Sequence, residues 1–259
     1  MNYKAIFFDM DGTLTSLATH QVSESALLAL RLAQQNGVKI FLATGRHPLL
    51  FNPIINTIPF DGYLTSNGQY CYTNTKEVIH RNGIPQADKE ALVELLETRQ
   101  LPILFLSENK VYLNMTNQQV QKVLDLLAMP PISIKNPKAC LTEDIFALFL
   151  SGGEELEQTI MEAMPGSKTV RWSPLFTDII PKTGGKDTGI DAMLAYYGIP
   201  LSETMAFGDA HNDITMLSHV GLGIAMGNAQ DEVKSAAKYV TDSAEEDGIY
   251  NALKHFGII

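Results

Sequence analysis

The sequence has few cysteines, few cations and no long apolar run, and each shortage argues against a class of protein. Its two cysteines, Cys71 and Cys140, form no Cys-x-x-Cys, so we expect neither a structural zinc site nor a disulfide scaffold. A net charge of −10 disfavours a nucleic-acid backbone as a partner. The longest strongly apolar run, Ile145 to Leu150, is far shorter than a membrane span.

The remaining composition is typical of a globular protein, with 45% apolar and 19% charged residues. A length of 259 residues suits one large domain or two smaller ones. The first residues form a strand that contains an acid, so we expect no secretory signal, and a reducing cytoplasm is the expected compartment. The sequence leaves the oligomeric state open between monomer and dimer.

Strand and helix signals alternate at both ends of the chain, which predicts a doubly wound, mainly parallel α/β sheet. Ser23 is predicted to cap the first helix, which ends at Asn36-Gly37. The middle of the chain has paired strands with helices between them, which predicts an α+β insert. The predicted domains are a core, residues 1–82 and 184–259, and an inserted domain, residues 83–183.

Two carboxylates follow the first predicted strand, Tyr3 to Phe8. Residues two apart on a strand point to the same face, so Asp9 and Asp11 are expected to converge. Burying an unpaired carboxylate is costly, and a divalent cation is the natural partner for two of them. The alternative is an ordinary acidic turn, because Asp-Gly pairs such as Asp11-Gly12 often mark turns.

A second acidic cluster follows a later strand. Asp209 ends that strand, and a helix starting there would place Asp209 and Asp213 on one face. Strand ends of an open parallel sheet bind ligands, so these carboxylates are expected to meet Asp9 and Asp11 at one crevice. A site of oxygen ligands favours Mg²⁺ over zinc. His211 lies between the two aspartates, which leaves a transition-metal site as the alternative.

Thr44 and Lys186 are the candidate phosphate ligands. Thr44 ends another strand beside Gly45, where its hydroxyl suits a phosphate oxygen or, alternatively, a helix N-cap. Lys186 begins a predicted helix, where a cation opposes the helix dipole, so its position indicates a function more than stability. Lys182 competes for this role, and we prefer Lys186. Arg46 either holds an anion or is solvated.

In this order, the segments resemble the motifs of the haloacid dehalogenase superfamily. The similar residues are Asp9-Met10-Asp11-Gly12-Thr13, then Thr44, then Lys186, and finally Gly208-Asp209 with Asn212-Asp213. An insert between the second and third motifs is similar to the large α/β cap of the Cof-like branch. Further segments resemble that branch, namely Ser66-Asn67-Gly68, Ala225 to Ala229 and Glu246-Asp247-Gly248. Ala210 and Asp187 stand where glycines are frequent in the family.

The resemblance implies a phosphatase mechanism. Asp9 would attack phosphorus and form an aspartyl-phosphate, while Asp11 would protonate the leaving alcohol and later activate water. Mg²⁺ would be held by Asp9, the Asp11 backbone carbonyl and Asp209, with Asp213 close behind. The implied phosphate ligands are Thr44, Lys186, Asn212 and the backbone amides of Met10 and Gly45.

The favoured function is therefore Mg²⁺-dependent hydrolysis of a small phosphorylated metabolite, of the sugar phosphate or nucleotide class. A phosphotransferase or phosphomutase on the same scaffold is the first alternative, and a sensor of a phosphorylated ligand is the second. The sequence does not name the substrate. Arg171, Trp172 and Asp178 are candidate specificity residues, although ordinary packing or a solvated surface explains each of them as well.

Overall fold

The computed structural model describes residues 3–127, 129–173 and 175–259, except for the side chain of Trp172. These residues form two compact units. The first comprises Met1–Gly45, Phe51–His80 and Gly185–Ile259, and the second comprises Arg46–Leu50 and Arg81–Gly184. None of the helices in the described part of the chain is long and apolar enough to cross a membrane.

The helices are α1 (Glu24–Gln35), α2 (Gln86–Thr98), α3 (Gln118–Leu126), α4 (Glu154–Ala163), α5 (Lys186–Tyr197), α6 (Ile214–His219), α7 (Asp231–Ala236) and α8 (Gly248–His255). The strands are β1 (Ala5–Phe8), β2 (Lys39–Ala43), β3 (Gly62–Thr65), β4 (Tyr70–Thr73), β5 (Val78–Arg81), β6 (Ile103–Ser107), β7 (Val111–Leu113), β8 (Ser133–Ile134), β9 (Ile145–Ser151), β10 (Ser167–Ser173), β11 (Phe176–Pro181), β12 (Thr204–Gly208), β13 (Leu222–Ala225) and β14 (Tyr239–Val240).

The first unit is built on an eight-stranded sheet in the order β14-β13-β12-β1-β2-β3-β4-β5. Strand β1 lies between β12 and β2 and is parallel to both. Strand β4 runs antiparallel to β3, so the chain makes a hairpin turn at Asn67-Gly68. The predicted doubly wound, mainly parallel sheet is confirmed.

Helices cover both faces of this sheet, which explains why its central strand β1 is apolar throughout. Helices α1 and α8 pack on one face, where Phe8 stacks on Phe207 with ring centroids 5.1 Å apart. Helices α5, α6 and α7 pack on the other face, where Phe7 stacks on Phe41 at 4.9 Å. All four residues of β1 are buried, so the strand is held in place from both faces.

The second unit has a six-stranded sheet in the order β10-β11-β9-β6-β7-β8. Its strands pair antiparallel except for β7 and β8, which are parallel. Helices α2 and α4 pack on one face and α3 on the other. Every residue of β9 is buried, as expected of a central strand with both faces covered.

The short segment Arg46–Leu50 groups with the second unit. Arg46 Nη1 donates to the carbonyls of Leu50, at 3.1 Å, and Leu127, at 3.4 Å. The two nitrogens of His47 lie 2.7 Å from the Ser107 carbonyl and 3.1 Å from the Leu49 amide. Burial lowers the pKa of His47, which favours the neutral ring. The domain boundaries predicted from the sequence place this segment in the core. The division into two domains stays a prediction.

Helix α1 begins and ends as its sequence predicts. The Ser23 side chain accepts a hydrogen bond from the Ala26 amide at 3.2 Å, so Ser23 is the N-cap. Asn36 is the C-cap, and Gly37 follows with φ +82°, a conformation that favours glycine. The cap satisfies one of the amides that a helix leaves unpaired at its start.

We expect Ser23→Ala to lower the free energy of unfolding of the first unit by about 1 kcal/mol, because the Ala26 amide loses its acceptor. The melting temperature should fall by about 2–4 °C, as measured by calorimetry. Ser23→Asp is the matched control, since aspartate caps helices as well as serine does. Equal melting temperatures for the alanine and aspartate variants would contradict the assigned cap.

Candidate active site

The predicted site residues follow strands β1, β2 and β12, which are parallel neighbours in the sheet. Asp9, Thr44 and Asp209 come directly after these strands, so all three lie at the same sheet edge. Their placement at this edge agrees with the sequence prediction. All three side chains are buried.

The expectation that Asp9 and Asp11 share a strand face is wrong. Strand β1 ends at Phe8, before either aspartate. The chain then turns, and the turn is closed by hydrogen bonds from the Gly12 amide to Thr15 and from the Thr15 amide to Met10, both 2.8 Å. The alternation rule for strands therefore does not apply to this pair.

Gly12 is required at this turn for two reasons. Its φ of +88° favours glycine, and an added Cβ would lie 2.2 Å from Asp209 Oδ2. Thr13 then donates its hydroxyl hydrogen to Asp209 Oδ1 at 2.9 Å. The turn after β1 thus packs against the carboxylate that follows β12 and fixes its orientation.

Lys186 is the first residue of α5, and its ammonium group joins two carboxylates. Its Nζ donates to Asp9 Oδ1 and to Asp213 Oδ1, each at 2.6 Å, and the side chain is fully buried. The two carboxylates offset the unfavourable position of a cation at a helix N-terminus. Lys182 is exposed, which agrees with the preference for Lys186.

The predicted helix that would carry both Asp209 and Asp213 does not form. A short 3₁₀ turn, His211–Asp213, follows Ala210 and leads into α6. Asp213 folds back on this loop, where its Oδ2 accepts from the amides of Asp209 and Ala210, both at 3.0 Å. The two aspartates are therefore neighbours because of a loop and not because of helix periodicity.

Asp9, Asp209 and Asp213 form one buried group in which each offers a carboxylate oxygen within 4.8 Å of the others. Within the described residues, this group includes neither the Asp11 carboxylate nor His211. The transition-metal alternative therefore has no imidazole in the group. A ligand role for the Asp11 backbone carbonyl stays a prediction.

Burial and mutual repulsion raise the pKa values of two of these carboxyl groups. The pKa of Asp9 rises from 3.8 to about 7, because burial and the charge of Asp213 outweigh the opposing effect of Lys186. Burial, followed by Asp9 and Asp213, raises the pKa of Asp209 well above its ordinary value. Burial alone would lower the pKa of Lys186, but Asp213 and Asp9 raise it overall.

The group fits a divalent cation in charge and in ligand type. When ionised, its three carboxylates and the Lys186 ammonium carry a net charge of minus two. Carboxylate oxygens are hard ligands of the kind that Mg²⁺ prefers. Asn212 Oδ1 is buried and accepts no hydrogen bond from the described residues, so it is available to a water molecule on a hydrated cation.

The backbone near Thr44 and Asp9 also offers hydrogen-bond donors. The amides of Met10 and Gly45 are paired with no acceptor among the described residues. Thr44 itself caps no helix, since the next helical turn starts only at Pro48. These observations agree with the predicted phosphate site, and the individual roles stay predictions.

Sequence reasoning missed two asparagines that link the site loops. Asn67 donates its amide to the Thr44 carbonyl at 3.0 Å and accepts from Asn212 Nδ2 at 3.1 Å. Asn228 Nδ2 donates to the Gly12 carbonyl at 2.9 Å and lies 3.4 Å from Asp209 Oδ2. The only sequence signal for either was its place in a segment that resembles the Cof-like branch.

Comparison with known proteins establishes the family. The family description "haloacid dehalogenase-like hydrolase" matches residues 6–253, which is nearly the whole chain. The chain belongs to the haloacid dehalogenase-like hydrolases. The resemblance predicted from the sequence is therefore confirmed.

Several relatives of this hydrolase are phosphatases by name. YkrA of Bacillus subtilis (strain 168), a candidate phosphatase, is 31% identical over 261 residues and covers 100% of both chains. A solved sugar phosphatase of subclass IIB is 39% identical, with a TM-score of 0.92 over 99% of this chain and 100% of the other. YcsE of the same Bacillus strain, a 5-amino-6-(5-phospho-D-ribitylamino)uracil phosphatase, is 27% identical over 99% of this chain and 96% of its own.

The candidate specificity residues Arg171 and Asp178 lie in strands β10 and β11 of the second unit. Arg171 pairs with Glu157 and donates to the carbonyls of Gly152 and Ser173. Asp178 is buried in β11. The side chain of Trp172 lies outside the described residues. For Arg171, packing within this unit explains the residue without a substrate.

The raised carboxyl pKa values predict how this hydrolase responds to a divalent cation. A folded-state pKa near 7 for Asp9 means that stability is lost as the pH rises from about 4 towards 7, because the ionised group is disfavoured in the metal-free fold. We expect Mg²⁺ to raise the melting temperature of EDTA-treated protein more at about pH 8 than at about pH 6, where protons compete.

Differential scanning fluorimetry at both pH values measures this effect. Asp209→Asn should lose most of the Mg²⁺-dependent shift, whereas Asp231→Asn, at an exposed position on α7, should retain it. The same shift at both pH values would contradict the assignment of the cation to the buried group.

Proposed function

We propose that this haloacid dehalogenase-like phosphatase hydrolyses a small phosphate monoester through an aspartyl-phosphate on Asp9. The observation that carries the proposal is the pair of 2.6 Å contacts from Lys186 to Asp9 and Asp213, beside Asp209. The three carboxylates can bind a cation. Once it is bound, the cation and the buried ammonium group together can bind an anion. Such an arrangement suits a phosphoryl group and its metal ion.

Asp9 is the proposed nucleophile. One of its carboxylate oxygens attacks phosphorus, the bond from phosphorus to the ester oxygen breaks, and the alcohol departs. Lys186 supports this step in two ways, since its charge favours the ionised form of Asp9 and its hydrogen bond fixes the carboxylate plane. The hydrogen bond from the Asp9 amide to the Phe207 carbonyl, 3.0 Å, anchors the backbone at the sheet edge.

Asp11 is the proposed general acid and base. It would give its proton to the departing alcohol oxygen and then take a proton from the water that attacks the aspartyl-phosphate. Inorganic phosphate and free Asp9 result from this second displacement. Asp11 is partly exposed, at a turn outside the buried carboxylate group, and proton exchange with solvent is therefore possible there.

Asp9, Asp209 and Asp213, with the Asp11 carbonyl, are the proposed holders of Mg²⁺. When bound, Mg²⁺ would neutralise charge on the phosphoryl group and orient it for in-line attack. Thr13 and Asn228 would keep Asp209 oriented by the contacts described above. The phosphate oxygens would be bound by Thr44, Lys186, Asn212 and the backbone amides of Met10 and Gly45.

The proposed substrate is a small phosphorylated metabolite, of the sugar phosphate or nucleotide class. Support comes from relatives named for a sugar phosphate and for a phosphorylated ribitylaminouracil. Adding acceptor sugars to the reaction separates hydrolysis from phosphoryl transfer, because a transferase would form a new phosphorylated sugar.

We expect Asp9→Asn to abolish turnover of p-nitrophenyl phosphate while retaining the fold, because an amide is a poor nucleophile. Release of p-nitrophenol with Mg²⁺ and with EDTA measures activity, and circular dichroism measures folding. Asp125→Asn, at an exposed position on α3, is the control and should behave like wild type. Near wild-type hydrolysis by Asp9→Asn would rule out the covalent mechanism.

We expect Asp11→Asn to reduce kcat/KM by at least about tenfold more for an alkyl phosphate, such as a hexose phosphate, than for p-nitrophenyl phosphate. The physical reason is that p-nitrophenolate departs without a proton, whereas an alkoxide does not. Steady-state kinetics with both substrates measure the difference. Equal losses for the two leaving groups would assign Asp11 a role other than acid catalysis.

A further inference from the structure

The loop between β3 and β4 has a conformation that a hairpin alone does not require. Three successive residues, Ser66, Asn67 and Gly68, have positive φ values of 51°, 55° and 83°. Two of these residues are not glycine, and such a backbone persists only where surrounding contacts hold it. All three residues are buried, so the loop is packed inside the first unit.

The loop touches three of the four motifs of the proposed site. The Asn67 amide donates to the Thr44 carbonyl at 3.0 Å. A Cβ at Gly68 would lie 2.4 Å from the Gly185 carbonyl, directly before Lys186. The Asn67 side chain accepts from Asn212 Nδ2 at 3.1 Å, across 145 residues of sequence.

The Asn67 contact determines how the Asn212 amide group is turned. An asparagine side chain has a donor end and an acceptor end, and only the donor end satisfies a carbonyl-type acceptor such as Asn67 Oδ1. Asn212 Nδ2 thereby keeps one further hydrogen to donate. Asn212 Oδ1 is buried and accepts no hydrogen bond from the described residues. The orientation of the amide group is therefore not fixed by a contact of this oxygen.

We propose that Asn67 is a positioning residue that orients Asn212 towards the phosphate of the substrate and of the product. Asn67 acts through Asn212 and does not touch the reacting atoms. This role rests on the proposed function, in which Asn212 binds a phosphate oxygen. Without Asn67, the Asn212 amide is free to rotate, and its acceptor end would repel a phosphate oxygen as often as its donor end binds one.

Asn67→Gly is the sharpest variant, because glycine adopts the positive φ of this position and removes only the side chain. We expect it to weaken inorganic phosphate binding, measured by calorimetry with Mg²⁺ present, by about fivefold, as for the loss of one hydrogen bond. KM for p-nitrophenyl phosphate should rise by a similar factor. The melting temperature should stay within a few degrees of wild type.

A double-mutant cycle tests whether Asn67 acts through Asn212. We expect Asn67→Gly combined with Asn212→Ala to bind phosphate no more weakly than Asn212→Ala alone, because the second change removes the group that Asn67 orients. Additive losses would overturn the proposal and assign Asn67 a merely structural role. If Asn67→Gly does not fold, Asn67→Ser replaces it in the same cycle, since serine is too short to make the contact.

Asn251→Ala is the matched control, because it removes an asparagine that donates to Asp242 and Glu246 outside the site. It should bind phosphate like wild type. If wild type neither hydrolyses p-nitrophenyl phosphate nor binds phosphate, the proposed function fails. If wild type does both and Asn67→Gly is unchanged, the role of Asn67 alone is overturned.

Discussion

The interaction on which the rest of the site depends is the buried ion pair of Lys186 with Asp9 and Asp213. Three carboxylates cannot all be ionised in a small buried volume unless positive charge accompanies them. Lys186 supplies part of that charge at distances of 2.6 Å. Lys186 does not balance all of the negative charge, and the pKa values of Asp9 and Asp209 are therefore raised. Without a metal ion, the cluster can bind either protons or a cation.

The neighbours of the cluster are constrained by this crowding. Gly12 and Gly208 have no room for a side chain, because a Cβ at either position would lie within about 2.5 Å of Asp209 or Asp213 atoms. Thr13 and Asn228 hold Asp209 by hydrogen bonds. Glycines and short polar side chains therefore pack against these acids.

Much of this arrangement could be predicted from the sequence, because it follows from the sheet. Asp9, Thr44 and Asp209 directly follow buried strands, and parallel strands bring their ends to one edge. Lys186 was identifiable because its place at a helix start needed a reason. The contact of Asn67 with Asn212 could not be predicted, because an Asn-Gly pair between two strands indicates a hairpin turn and not a long-range contact. The contact of Asp213 depends on a loop that strand and helix periodicities do not describe.

The order of the strands has a consequence for synthesis on the ribosome. Strand β1 is central, yet its partner β12 is made about two hundred residues later, after the whole second unit. Until β12 emerges, the nascent chain exposes an apolar strand edge, and Asp9 lacks Lys186, Asp209 and Asp213. The first unit therefore completes its sheet and its site only after the second unit has been made, and its apolar strand edge is open to aggregation until then.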